Sequence, residues 1–237
     1  AGALWNLAIN PSLTTTTTRR RSRRQQRGDC AAGGIEVLAA GGIQVLIALA
    51  RDGNEMQKYN AVGALANLSI NHDNSVAIAA AGGIQVLIAL ARDGNEAQKE
   101  EAAGALWNLS EKDDLEVAIV AANNNLKVAI AAAGGIEVLI ALARDGTDRQ
   151  KQNAAGALSN LAMNGVAIAA AGGIEVAIND ENSVAIAAAG GIKVLVTLAR
   201  DGTKAQKERA AGTLCNLAYN DDNSVAIAAA GGVEVLI

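Results

Sequence analysis

Most of VAIAAAGGIQVLIALARDGNEAQKEEAAGALWNLS, residues 76–110, returns at 35–69, 128–161 and 184–217. Its most constant part, from an Asp-Gly turn to an Asn-Leu ending, lies at Asp52–Leu68, Asp93–Leu109, Asp145–Leu161 and Asp201–Leu217. A unit copied along a chain at a period of tens of residues is one supersecondary element that buries its apolar face only against its neighbours. Stacked units offer a long surface instead of a chemical pocket. The expected work of such a chain is to hold other chains.

Within the unit the punctuation predicts three helices. Asp73, Asn74 and Ser75 offer N-caps before a short first helix, VAIAAA. Gly82-Gly83 ends it, glycine being favoured where a helix closes in left-handed geometry. A second helix follows, IQVLIALAR, with Ile84, Leu87, Ile88 and Ala91 on one stripe and Arg92 in the last turn, where a cation complements the helix dipole. Gly94 stops it. The third helix starts at Asn95, and its counterparts at Asn54, Thr147 and Thr203, each with Gln three residues on. Thr-x-x-Gln is a capping box, and Asn-x-x-Gln reads as a looser relative. Ala102, Leu106 and Leu109 make the buried stripe of that helix, and Glu96, Lys99 and Glu100 a wet one.

Three helices per unit, a period of 41 (Gly42 to Gly83, Gly191 to Gly232) and the Gly-Gly joint closely resemble the armadillo repeat family. The resemblance covers nearly everything outside residues 11–30. It implies an all-α, right-handed α-solenoid of three-helix armadillo-type repeats, whose third helices line a concave groove for extended peptides.

Composition narrows the function further. The chain is 51% hydrophobic but 2% aromatic, so Ala, Ile, Leu and Val supply the apolar surface and let helices approach closely. The longest apolar runs, about sixteen residues, are broken by Gly-Gly and by Gln85, Glu137 or Lys193, short of the roughly twenty a membrane span needs. Cys30 and Cys215 form no framework and suit a reducing compartment, so a cytoplasmic location is expected, or a nuclear one. Net charge is −4; residues 11–30 hold six Arg and one Asp, a net +5, which leaves −9 on the remainder. An acidic array is a poor nucleic-acid binder, and basic or mixed-charge protein segments suit it better.

The regular text is interrupted. Glycines 53, 94, 146 and 202 of the Arg-Asp-Gly turns are 41, 52 and 56 residues apart, whereas each lies ten residues before the glycine of helix three. All the irregularity therefore falls between helix three and the next Gly-Gly. Residues 1–10 read as the end of a third helix. Residues 11–30, PSLTTTTTRRRSRRQQRGDC, are a basic low-complexity insert too poor in apolar residues to pack. Residues 31–237 form the solenoid, with truncated or irregular units expected near 31–42, 113–127 and 164–182. Neither end of the chain reads as a polar capping repeat, which leaves self-association through uncapped ends as a further expectation.

No catalytic constellation, cofactor motif or metal set appears, and no enzyme is expected. His72 is the only histidine and reads as a solvated loop residue. Asp52, Asp93, Asp145 and Asp201 come one per unit, too far apart for a carboxylate pair, and read as turn residues.

Asn6, Asn67, Asn108, Asn160 and Asn216 do recur at one late position of helix three, amid apolar neighbours, although Asn is a weak helix former. The resemblance implies that this Asn projects into the groove and hydrogen-bonds a peptide backbone. The alternative is that each Asn bonds the backbone of a neighbouring repeat. Trp5 and Trp107 precede their Asn and either fill space or stack on a ligand stem. Asn60, Glu101, Asn153 and Arg209, two turns before the Asn, vary as ligand-reading positions would. Nuclear-import adaptors of the family carry Trp one turn before the Asn; here that place holds Gly2, Gly63, Gly104, Gly156 and Gly212. The function expected is a non-catalytic protein-interaction scaffold. The alternatives are a nuclear transport adaptor using the arginine run at 19–27, and the substrate-binding portion of a larger ubiquitin ligase.

Overall fold

The computed structural model of the chain describes residues 41–111, 126–163 and 178–236, and every regular element among them is an α-helix. Two compact units divide the chain at Leu109–Ser110. In unit 1, α1 (Gly42–Asp52) and α2 (Glu55–Leu68) are the second and third helices of one repeat. α3 (His72–Ala80), α4 (Gly83–Asp93) and α5 (Glu96–Ser110) complete the next. Unit 2 holds α6 (Leu126–Ala132), α7 (Gly135–Asp145) and α8 (Asp148–Ala162), then α9 (Ile178–Ala188), α10 (Gly191–Asp201) and α11 (Lys204–Leu217), then α12 (Asp221–Ala229) and α13 (Gly232–Leu236).

Like helices stack on like. Within unit 2 the third helices α8 and α11 pack together, as do the second helices α7, α10 and α13 and the first helices α6, α9 and α12. Within unit 1 the second helices α1 and α4 do the same. Leu87 and Leu139 on the second helices, and Leu106 and Leu158 on the third, have no exposed surface. Burying each such side chain stabilises the stack by roughly 1.5–3 kcal/mol, and short Ala side chains between them let the helices close.

The Gly-Gly joint has two separate causes. Its first glycine takes a left-handed backbone: φ is +76° at Gly82, +78° at Gly134 and +80° at Gly190. The second begins helix two so close to the preceding helix that a Cβ on Gly83 would lie 2.6 Å from Ile78 Cγ2 and 2.8 Å from the Ile78 carbonyl oxygen. The chain thereby bends by 84° between α3 and α4 and by 79° between α6 and α7. No single described helix is long and apolar enough to cross a membrane.

Helix one is capped earlier than the sequence suggests. Asn71, not Asp73, is the N-cap of α3: its side chain accepts the Asn74 N–H, and His72 is the first helical residue instead of a loop residue. Asn220 plays the same part before α12. The reason is local: capping from Asn71 leaves Asn74 and Ser75 inside the helix, both buried, where the Ser75 hydroxyl donates back to the carbonyls of Ser69 and Asn71 at 2.9 Å each.

The caps of helix three stand where the sequence placed them, with one reversal. The Asn boxes are tighter than the Thr boxes: Gln57 N–H to Asn54 Oδ1 is 2.9 Å and Gln98 N–H to Asn95 Oδ1 3.0 Å, against 3.3 Å at Thr147 and 3.4 Å at Thr203. A carboxamide oxygen stands one bond further out than a hydroxyl and reaches the N3 amide more fully. The repeated aspartates end helix two, and three pair with the preceding arginine, Arg51–Asp52, Arg92–Asp93 and Arg144–Asp145, at 2.9–3.1 Å. All three pairs are exposed and worth little.

Residues 1–40, 112–125 and 164–177 lie outside the described residues, and with them the low-complexity insert and most of the three irregular stretches. Of those stretches only their last residues are described: Leu126 and Lys127 lie in α6, and Ile178 to Asn182 in α9.

Candidate functional site

The recurring Asn is placed by the stack and partly consumed by it. Asn108 Nδ2 donates to the Ala66 carbonyl of the preceding repeat at 2.9 Å. Asn216 Nδ2 donates to the Ser159 carbonyl at 3.1 Å. Asn160 Nδ2 donates to Ser110 Oγ at 3.2 Å. Asn67 turns back into its own helix and donates to the Gly63 carbonyl at 3.0 Å. The bond to a neighbouring repeat's backbone, one of the two readings open from sequence, is thus made by Asn108 and Asn216.

The acceptor half of each amide is a different matter. All four asparagines are half-buried, and among the described residues no donor bonds to their Oδ1 atoms. Each inter-repeat bond fixes the carboxamide plane, and the oxygen is left accessible. In unit 1, Asn67 and Asn108 sit on adjacent third helices; in unit 2, Asn160 and Asn216 do. Packed helices lie about 8–10 Å apart, a distance that about three residues of an extended chain cover at about 3.3 Å each.

The other candidates divide. Trp107 is half-buried beside Asn108 and has an interaction partner within the folded chain, as do Glu101, Asn153 and Arg209. Asn60 is half-buried. Trp5 and Asn6 lie outside the described residues. Cys215, equivalent to Trp107, is an exposed free thiol. No group of His, Cys, Asp or Glu among the described residues is arranged to hold a metal ion.

Two sets of polar residues were not legible from sequence. Asn182 and Asn223, buried in the first helices of unit 2, donate Nδ2 to the carbonyls of Leu161 and Ser183 at 3.4 and 3.3 Å. Their equivalent Asn74 is equally buried, and neither its Nδ2 nor its Oδ1 has a partner. The second set is the capping-box glutamines. Gln98 Nε2 crosses to the preceding repeat and donates to the Glu55 carbonyl at 3.0 Å and to Glu55 Oε2 at 2.9 Å. Gln206 repeats this on Asp148, at 3.0 Å to the carbonyl and 3.1 Å to Oδ1. The signal was present in the choice of Gln over Glu at all four boxes.

The armadillo/beta-catenin-like repeat family model matches residues 35–70, 71–111, 123–163 and 179–219, more than half of the chain. The chain belongs to the armadillo repeat family. Armadillo repeats are a protein-interaction fold, and the resemblance drawn from the Gly-Gly joint and the three-helix period holds. A search of curated proteins gives no match. Among solved structures, an engineered protein is 28% identical with a TM-score of 0.73, over 99% of this chain and 87% of its own. A computationally designed armadillo repeat protein for modular peptide recognition is 21% identical with a TM-score of 0.72, over 98% of this chain and 82% of its own. A designed armadillo repeat protein in complex with the peptide (KR)4 is 19% identical with a TM-score of 0.71, over 99% and 89%. At these identities the two designed proteins share the fold alone.

Proposed function

We propose that this armadillo repeat chain is a non-catalytic scaffold that binds extended, basic or mixed-charge segments of partner proteins through its helix-three asparagines. The observation that carries the reading is the division of labour within the carboxamide: Nδ2 of Asn108, Asn160 and Asn216 is tied to the neighbouring repeat, while Oδ1 stays available to a peptide N–H. An acceptor held in a fixed plane loses little freedom on binding, which favours affinity. The −9 charge outside residues 11–30 favours cationic segments. The binding of (KR)4 by a designed relative of the same fold supports this charge preference.

The test is titration of the full chain with the (KR)4 peptide. Each Asn→Ala substitution removes about 1 kcal/mol of hydrogen bonding, close to a fivefold loss, and N160A/N216A together, both in unit 2, weaken binding by about twenty-five-fold. Because Asn67 bonds only its own helix, N67A loses affinity without loosening the contact between repeats. Affinities for N67A and for N160A/N216A within twofold of the parent, with helicity unchanged, would sink the proposal.

A further inference from the structure

Each unit carries a groove at the opposite end of helix three from the recurring asparagines (the asparagine ladder), where the end of one repeat's helix two faces the next repeat's helix two. In unit 1 it encloses about 590 Å³ and in unit 2 about 380 Å³. The two are built from equivalent positions, so their differences are informative. Arg51, Glu55, Lys58 and Asp93 line the first, which is neutral overall, and Gln85 lies at its far wall. In the second, Arg144, Asp148, Lys151 and Asp201 take those places, and Lys193 stands where Gln85 was. Counting the side chains that line each, the unit 2 groove therefore carries one more positive charge than the unit 1 groove.

The partners of these charges sharpen the point. Arg144 is held by Asp145 at 2.9 Å, and Asp148 Oδ1 accepts from Gln206 at 3.1 Å. Neither Lys151 nor Lys193 has a hydrogen bond or ion pair among the described residues, although both line the same groove. The same groove is lined by Val194, half-buried, and Leu198, 6% exposed. Two lysines and two apolar side chains in one groove match a chain segment that alternates carboxylates with aliphatic side chains.

We infer that the unit 2 groove is a second protein-docking site, specific for an acidic segment whose carboxylates pair with Lys151 and Lys193 while an aliphatic side chain covers Val194 and Leu198. The site is separate from the ladder: Lys151 and Asn160 are nine residues apart on α8, about 14 Å along the helix. The chain would then hold a cationic segment on one surface and an anionic one on another.

The probe is the capped heptapeptide acetyl-(Glu-Leu)3-Glu-amide, titrated at low salt into the full chain with amide chemical shifts as readout, since exposed charge pairs weaken as salt rises. Shifts are expected at Thr197, Gly202 and Thr203. K151Q/K193Q is expected to weaken binding about tenfold, as is the peptide with Gln in place of Glu. K58Q, the equivalent position in the unit 1 groove, in contrast leaves it unchanged, which assigns the binding to unit 2. Perturbations confined to other residues, or a K151Q/K193Q affinity within twofold of the parent, would overturn the assignment.

Discussion

Gly191→Ala is expected to destabilise the chain by about 3 kcal/mol, whereas Gly190→Ala, one residue earlier, costs only about 1–2 kcal/mol. The two glycines look alike in sequence and act through different physics. Gly190 has φ +80°, and a Cβ added there meets nothing within 4 Å, so the penalty is the backbone strain of a left-handed alanine alone. A Cβ on Gly191 would lie 2.7 Å from Ile186 Cγ2, 2.8 Å from the Ile186 carbonyl oxygen and 3.2 Å from Ile140 Cδ1 of the preceding repeat. The methyl groups can rotate away; the carbonyl cannot, because it belongs to the end of α9. Adding Ile186→Ala to Gly191→Ala therefore recovers little. Urea unfolding of the full chain measures both costs, and a larger loss at Gly190 than at Gly191 contradicts the packing account.

Gln98→Glu is expected to cost about 3 kcal/mol, although Glu is an ordinary capping-box residue. The side chain is 1% exposed, and its two ends do different work. Oε1 accepts the Asn95 N–H at 3.1 Å, which Glu can also do. Nε2 donates to both the carbonyl and the carboxylate of Glu55 in the preceding repeat. A carboxylate there turns two hydrogen bonds into two acceptor–acceptor contacts and buries a charge without a partner. Glu55→Gln in the same chain supplies a donor and restores more than half of the loss. A urea-derived coupling near zero between the two substitutions would show that the inter-repeat bond contributes nothing.

What could be read in advance was whatever depends on residues within one turn of each other. The Gly-Gly joint, the starts of helix three at Asn54, Asn95, Thr147 and Thr203, and the stripe of Ile84, Leu87, Ile88 and Ala91 are local properties, and the structure has them all. Asn71 was passed over as a cap because Asp73, Asn74 and Ser75 are equally good cap residues, and only the burial of Asn74 and Ser75 decides against them. The recurrence of Asn108 and Asn216 was legible. Their partners were not, because Ala66 and Ser159 lie 42 and 57 residues away and are reached only through the stack. The double use of Gln98 and Gln206 and the charge of the unit 2 groove are hidden for the same reason: each arises between repeats, where a period in the text says that neighbours touch without saying which atoms do.

If the asparagine oxygens accept from a bound backbone, the peptide's own amides must matter in alternation. Two versions of (KR)4, N-methylated on the odd-numbered or on the even-numbered residues, separate the two faces of an extended segment while keeping every charge. One version is predicted to bind the full chain at least about tenfold more weakly than the unmodified peptide, and the other within about twofold of it. Equal affinity for both versions and the parent peptide would mean that charge alone holds the segment, and the asparagine ladder would have no part in recognition.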